Sequence, residues 1–292
     1  MKRYELNAST TYTYGANAAR GYHMVRMLPR VRPDQPVDAA ELRIAPEPTQ
    51  RGTQIDAFGN PVHWFLIDGP HDSLSVEIRA EVRSLRTPNL LTSSRTVAEV
   101  SNEADEANSL EASSPAHYLQ PTTLTEVDAD LAAFADELID PEARVLDALE
   151  ALSKALYERL TFDGTATDVS TLAADAFKKQ AGVCQDFAHI MLAACRHCGL
   201  PACYVSGYIR TDPPPGQPRL AGADAMHAWV SVWTGMDGGW VEFDPTNGVR
   251  VVDDHIVVAI GRDYQDAAPM RGEVVGAGAQ SHTVAVDLIE RV

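Results

Sequence analysis

Hydrophobic and polar positions alternate with a period of two from Tyr4 to about Leu90. This text includes Thr-Tyr alternation at Thr11–Tyr14, an apolar run at Val62–Ile67 and the alternating Leu74–Val82 segment, punctuated by Gly, Pro and Asp. It predicts an antiparallel β region, with a hairpin or loop tip at Asp56-Ala-Phe-Gly-Asn60-Pro61, where Gly and Asn tolerate positive φ. Helical spacing then takes over. Thr125–Leu138 sets Leu131, Phe134 and Leu138 on one stripe, and Pro141–Leu160 sets Val145, Leu149, Leu152 and Leu156 on another, with Pro141 in the first turn. Val183–Cys198 predicts a buried helix, carrying Phe187, Met191, Ala194/Cys195 and Cys198 along one stripe and ended by Gly199-Leu200-Pro201. Strands are predicted at Ala202–Ile209, Ala228–Trp233, Trp240–Asp244, Ile256–Ile260 and Thr283–Leu288, with a Pro-rich loop at 212–218.

A chain of 292 residues holds one large or two modest domains. Charge sharpens the division. Between Glu99 and Glu150 there are 14 acidic residues and one basic residue, Arg144, so this stretch holds −13 of the total −17. Its first half, to about Pro121, is rich in Ser, Asn, Glu and Pro and reads as a surface linker with a solvated acidic face. The expected organisation is therefore a β-rich N-terminal domain at 1–90, an acidic linker at 91–121 and a catalytic domain at 122–292. Ile256–Ile260 and Thr283–Leu288 carry apolar alternation expected to be buried against the same sheet as His227 and Asp244.

The acidic balance supplies no broad field for phosphate or anionic lipid, so neither nucleic acid nor a membrane surface is expected as a partner. The start, MKRYELNAST, lacks an apolar segment behind its basic residues, and no 18 apolar residues run together, so neither a signal peptide nor a membrane span is expected. Four cysteines are too few for a disulfide scaffold in a chain of this length, which implies reduced thiols and a cytoplasmic location.

The candidate chemistry lies in the C-terminal half. Cys184 opens the buried helix, where free backbone N–H groups and the helix dipole favour a thiolate. His227-Ala-Trp-Val-Ser-Val-Trp233 and Trp240-Val-Glu-Phe-Asp244 alternate around a turn-rich Thr234–Gly239, predicting a hairpin. Centred on Gly235/Met236, that hairpin opposes Trp233 to Gly238, Ser231 to Trp240, Trp229 to Glu242 and His227 to Asp244. A thiol at a helix start, an imidazole and a carboxylate to orient it are the equipment of acyl transfer. Cys195-Arg-His-Cys198 lacks a second pair at zinc spacing and falls on the apolar stripe, so no metal and no cofactor are expected. Asp186 is read as a cap in the first helical turn, and Asp253-Asp254-His255 as a turn with an exposed imidazole.

The strings GVCQDFAH at 182–189, YVSGY at 204–208, HAWVSVW at 227–233, WVEFDPTNG at 240–248 and DHIVVAIGRDY at 254–264 resemble the bacterial transglutaminase-like family, whose members are often described as candidate cysteine proteases. The resemblance runs from about Asp163 to Arg271, and the strand-rich N-terminus is similar to the β region that precedes the family's catalytic core. It implies an α+β fold: a papain-like transglutaminase core, with the nucleophile's helix packed on an antiparallel sheet, preceded by an N-terminal β-rich domain. It also implies Cys184 as nucleophile, His227 as base and Asp244 as the orienting carboxylate. Animal transglutaminases carry an oxyanion-binding tryptophan some tens of residues before the cysteine, whereas no Trp occurs here between Trp64 and Trp229. The Cys184 backbone N–H, Gln185 and Gln180 are the substitutes considered.

The implied function is hydrolysis of amide, peptide or isopeptide bonds through a thioester acyl-enzyme, on a peptide or protein substrate. The alternatives are acyl transfer, by protein-glutamine transamidation or in the manner of arylamine acetyltransferases, and a non-catalytic interaction module.

Overall fold

A computed structural model describes residues 1–86, 95–211 and 224–291. Four N-terminal strands, β1 (Lys2–Val25), β2 (Val37–Ala45), β3 (Gln50–Ile55) and β4 (Pro61–Ser84), lie in one antiparallel sheet. The apolar runs at 62–67 and 74–82 belong to one long strand, β4, which pairs with β1 from Lys2↔Ser84 to Val25↔His63. Alternation sends Tyr4, Leu6 and Ala8 of β1 and Val76, Ile78 and Ala80 of β4 inward. The 56–60 loop falls where turn chemistry predicts it. Asp56 Oδ1 accepts from the Phe58 and Asn60 N–H groups at 3.0 and 2.9 Å, and Gly59 takes φ +74°.

The stretch read as a linker is structured. It contains α1 (Val97–Asp105), which opens with a capping box: Thr96 Oγ1 accepts from the Glu99 N–H at 3.2 Å, and Glu99 Oε2 accepts from the Thr96 N–H at 2.8 Å. Val97, Val100 and Ala104 form a buried stripe at helical spacing beneath the exposed acids, so composition masked a short amphipathic helix. Further on, Tyr118 is buried and its carbonyl accepts from Arg196 Nε at 3.0 Å. A buried guanidinium must find acceptors, and the 115–125 segment supplies two of them, the Tyr118 carbonyl and Thr125 Oγ1. Residues 91–94 and the Pro-rich 212–218 segment lie outside the described residues.

Helices α2 (Ala129–Leu138) and α3 (Val145–Arg159) follow. The second begins four residues later than expected. Pro141 belongs to the preceding turn, its carbonyl accepts from the Ala98 N–H, and Arg144 is extended at ψ 131°. The short parallel pair β5 (Thr161–Phe162) and β6 (Ala181–Gly182) brackets α4 (Ala173–Lys179) and leads into α5 (Cys184–His197). Cys195 is fully buried and Cys198 half-buried on α5, consistent with core packing.

A second antiparallel sheet comprises β7 (Ala202–Ile209), β8 (Ala225–Trp233), β9 (Trp240–Asp244), β10 (Val249–Arg250) and β11 (His255–Gly261), in the order β10-β9-β8-β7-β11. Val230, Val232, Val241 and Phe243 join the core that contains α5. Trp229, Cys203, Val205 and Val257 form a separate buried cluster with Tyr118.

After α6 (Tyr264–Ala267), strands β12 (Met270–Val275) and β13 (Gln280–Arg291) both return to β1. Thr283–Leu288 therefore pairs within the N-terminal sheet, with Leu288 opposite Leu6 and Val286 opposite Ala8, and meets the catalytic sheet through a bridge from Val286 to Asp224 ahead of β8. Alternation identifies which side chains are buried but not which strand pairs with them. The last strands thus pair with residues 1–86, while the second sheet is built wholly from residues 202–261.

Candidate active site

Cys184 is the first residue of α5, after Val183 in extended conformation at φ −106° and ψ 177°. The helix start is built around Asp186. Its Oδ2 accepts from the Val183 N–H at 2.7 Å and from Thr167 Oγ1 at 2.6 Å, as the capping reading expected. Burial pushes the Asp186 carboxyl up, against those two bonds. A Cβ on residue 182 would come within 2.5 Å of Asp186 Oδ2, which explains glycine at that position. Cys184 is half-buried, whereas Cys195 and Cys203 are buried.

The β8–β9 hairpin forms, but its register is shifted by two from the expected one. The Thr234 N–H donates to the Gly239 carbonyl and the Gly239 N–H to the Gly235 carbonyl, both at 2.8 Å, with Gly235 and Gly239 at φ +101° and +62°. The loop is thereby centred between Met236 and Asp237, so Trp233 opposes Trp240 and Ser231 opposes Glu242. Asp244 comes level with Trp229, and His227 lies one pleat further along. A two-residue shift preserves the face on which every side chain lies. His227 and Asp244 consequently still meet, with Nε2 to Oδ2 at 2.8 Å.

Asp244 is fully buried and saturated with donors. Oδ2 accepts from His227 Nε2, from His255 Nε2 at 3.0 Å and from Asn247 Nδ2 at 2.6 Å, while Oδ1 accepts from the Thr246 and Asn247 N–H groups at 3.0 and 3.2 Å. Burial alone would raise this carboxyl, but the two imidazoles override it and hold it far below the usual carboxylate range. Burial likewise opposes charge on His227, yet hydrogen bonds from it to Asp244 and with Cys184 raise its pKa from 6.5 to about 10. Because Nε2 is committed to Asp244, Nδ1 is the nitrogen left for Cys184.

His255 is buried at the start of β11 and joins this cluster, which corrects its reading as an exposed turn residue. The strand begins one residue earlier than the apolar text suggests, and that residue has the same inward parity as Val257. His227, Asp244 and His255 bring three potential metal-ligating atoms within 4.8 Å of one another. Their N···O separations are hydrogen-bond distances, and the shared oxygen takes a third bond from Asn247. Zinc ligands about 2.0–2.2 Å from the ion in a tetrahedron would have to stand further apart, so the trio fits a hydrogen-bonded cluster better than a cation.

Beneath the imidazoles, Trp229 stacks on His227 with centroids 6.1 Å apart and meets His255 edge-on at 5.1 Å. Its Nε1–H donates to Glu242 Oε2 at 2.8 Å. Glu242 is held by Arg32 Nη1 at 2.7 Å and Arg86 Nη2 at 3.3 Å, two residues of the N-terminal region. Composition and periodicity do not register this network, because its members lie far apart in the chain.

The suggested oxyanion donors are not drawn together. Gln185 Nε2 donates to the Val169 carbonyl at 3.1 Å, and Gln180 is an exposed left-handed residue closing α4. The backbone N–H groups of Cys184 and Gln185 are without acceptors among the described residues, as helix starts leave them. Tyr204 of β7 adds a neighbour that pattern reading missed. Burial, then the adjacent Cys184, hold its phenol well above 10, so it stays protonated.

Residues 4–83 match the bacterial transglutaminase-like N-terminal region, and residues 132–245 match the transglutaminase-like superfamily. An uncharacterized protein of Mycobacterium tuberculosis is 35% identical over 274 residues, covering 92% of this chain and 87% of that protein. One of Mycobacterium leprae is 32% identical over 294 residues, 99% of each. A protein-glutamine gamma-glutamyltransferase of Pseudomonas aeruginosa is 32% identical over 122 residues, 39% of this chain and 18% of that protein. The solved structure of a candidate cysteine protease from Cytophaga hutchinsonii matches with a TM-score of 0.73 at 19% identity, over 99% of this chain and 90% of that one, which shows a shared fold. The architecture is therefore a transglutaminase-like core with an accompanying β region. The chain belongs to the bacterial transglutaminase-like family.

Proposed function

We propose that the protein is a cysteine-dependent hydrolase of amide, peptide or isopeptide bonds. The reading rests on one observation: His227 Nε2 is tied to the buried Asp244 carboxylate while its ring lies against a thiol at the start of α5. Cys184 Sγ, its proton already held on His227, attacks the substrate carbonyl carbon. The tetrahedral adduct collapses to a thioester as His227 returns that proton to the departing amine. Water, losing a proton to His227, then attacks the thioester, releasing the carboxylic acid and restoring the thiol. A peptide or protein is the proposed substrate. The four unpaired cysteines suit a reducing compartment, so the cytoplasm is the proposed location.

The similarity to a protein-glutamine gamma-glutamyltransferase supports a second reading, in which an amine replaces water in the last step. Both are tested by screening a peptide library and identifying the products by mass spectrometry, with and without added primary amine. Cleaved acids in both conditions support hydrolysis, and amine adducts support transamidation. Equal turnover by wild type and Cys184→Ala would remove the cysteine mechanism altogether.

A further inference from the structure

On the face of the catalytic sheet that carries Trp229 lies a cavity of about 150 Å³ that the proposed reaction does not use. Its floor is a row of directly paired residues, Cys203, Ser231 and Glu242, on β7, β8 and β9. Tyr118 and Trp240 wall it, with ring centroids 5.3 Å apart. The polar ends of both rings are engaged elsewhere: the Tyr118 hydroxyl donates to the Ala112 carbonyl at 3.0 Å and Trp240 Nε1 to the Ser113 carbonyl at 3.2 Å. Cys203 and Ser231 face each other across β7 and β8, and Glu242 is occupied by Trp229, Arg32 and Arg86.

Arg30, which also lines the cavity, differs from these neighbours. Its Nη1 donates to the Phe58 carbonyl at 3.1 Å and Asn60 Oδ1 at 2.6 Å, which accounts for two of the five guanidinium N–H groups. Nε and Nη2 have no partner among the described residues, and Arg30 is in no ion pair there. Nε–H and Nη2–H are parallel donors, spaced to receive both oxygens of one carboxylate. A Cβ on residue 59 would stand 3.0 Å from Nη2, so Gly59 keeps that side of the fork clear. The local charge is favourable despite the acidic chain. The charged residues that line the cavity are Arg30, Arg32 and Glu242, two cations against one anion.

We propose that this cavity binds a small organic monocarboxylate, with the carboxylate on the Nε/Nη2 edge of Arg30 and the apolar body against the wall that Tyr118 and Trp240 form together. At about 30 Å³ per water, the space holds roughly five waters, which suits a compact free acid better than a peptide segment. The site is separate from Cys184, so its occupancy does not depend on the proposed hydrolysis.

Benzoate, with neutral benzamide and inorganic phosphate as comparators, provides the test on the full-length protein. Binding is read from the Trp240 indole N–H resonance and from the melting temperature. Benzoate is expected to shift that resonance saturably and raise the melting temperature, with benzamide and phosphate at least about tenfold weaker. Arg30→Gln should abolish benzoate binding. Because that change could also loosen the 56–60 loop, Ser231→Leu provides a second test, filling the cavity while Arg30 remains. It should abolish binding too, with the His227 imidazole resonances unmoved. Equal binding of benzamide or phosphate, benzoate binding that survives either variant, or no benzoate response in the wild type would overturn the proposal.

Discussion

His255 and His227 donate to the same oxygen, Oδ2 of Asp244, from β11 and β8, at 3.0 and 2.8 Å. The orienting carboxylate is thus pinned from two strands as well as by the turn that follows it. Among the described residues the His255 imidazole bonds to Asp244 and not to Cys184, so its role is to position Asp244. Its replacement by leucine removes one hydrogen bond to a buried charge, for which a loss of about 1.5–3 kcal/mol of stability is expected. Turnover should fall by no more than about tenfold, since His227 keeps its own bond to Asp244. Urea melts and kinetics on His255→Leu check both figures. A loss of activity as deep as that of His227→Ala would mean that His255 does more than position.

The charged state of His227 depends on Asp244. With a folded pKa raised from 6.5 to about 10, the imidazole contributes stability that is fully present below pH 6.5 and is lost as pH rises through about 10. Asp244→Asn removes the opposing charge and leaves burial, which lowers the pKa, against the Cys184 contact, which raises it. The His227 titration, followed by NMR, should therefore move well down from about 10, and the decline of stability with pH should begin correspondingly lower. Turnover should drop on the order of 10⁴-fold, as it does when a serine triad loses its carboxylate. An unchanged His227 titration in the asparagine variant would show that Asp244 does not set it.

Thiol reactivity should single out Cys184. Burial pushes Cys198 up to about 11, Cys203 to about 12 and Cys195 further, whereas Cys184 is half-buried at a helix start beside an imidazolium. Brief iodoacetamide treatment of the folded protein near pH 7 should label Cys184 first, and His227→Ala should slow that labelling. Earlier modification of any of the other three, mapped by mass spectrometry, would count against the assignment.

Much of this site was legible because parity survives errors of register. The hairpin centre misses by one position, yet the two-residue shift that results leaves His227, Trp229, Glu242 and Asp244 on their expected face. Cys184 was readable from the break between extended Val183 and the helical stripe behind it. His255 was not, because one residue ahead of an apolar run resembles a turn unless its alternation with Val257 is counted. The same blindness to partners hid the pairing of β13, whose alternation is satisfied by Leu6 and Ala8 of the N-terminal sheet. The acidic stretch hid α1 because charge on its outer face dominates the composition while three small apolar residues do the packing.

The pairing of β13 predicts a different outcome for truncation than a C-terminal catalytic domain would. Deleting residues 270–292 removes the partners of Arg3–Tyr14 and Arg20–Val25, baring one edge of β1. Hydrogen exchange should show β1 amides losing protection first, and the protein should aggregate through the exposed edge. β7 and β8, whose ladders lie wholly within 202–261, should be affected later. Protection retained in β1 with early loss in β8 would contradict this pairing.

Glu242 provides the clearest test of how the N-terminal region supports the site. Burial raises its carboxyl, but Arg86 and Arg32 outweigh that and lower it from 4.5 to about 2. A carboxylate depressed in this way contributes stability that is present above pH 4.5 and is lost as pH falls toward 2. Glu242→Gln would leave Arg32 and Arg86 with the more exposed Asp34 as their one shared counter-charge, and breaking a buried pair in this manner costs up to about 3–5 kcal/mol. Arg32→Met together with Glu242→Met removes charges of both signs and should be less damaging than Glu242→Gln alone, because fewer buried charges are left unmatched. The Trp229 indole loses its acceptor only in the methionine variant, so its N–H resonance should shift there and remain hydrogen-bonded in the glutamine variant. Urea titrations of both variants at neutral pH, with the indole spectrum beside them, decide the matter. Wild-type stability in the glutamine variant would show that Arg32 and Arg86 are held without Glu242, and that the N-terminal region does not depend on this carboxylate for its grip on the catalytic sheet.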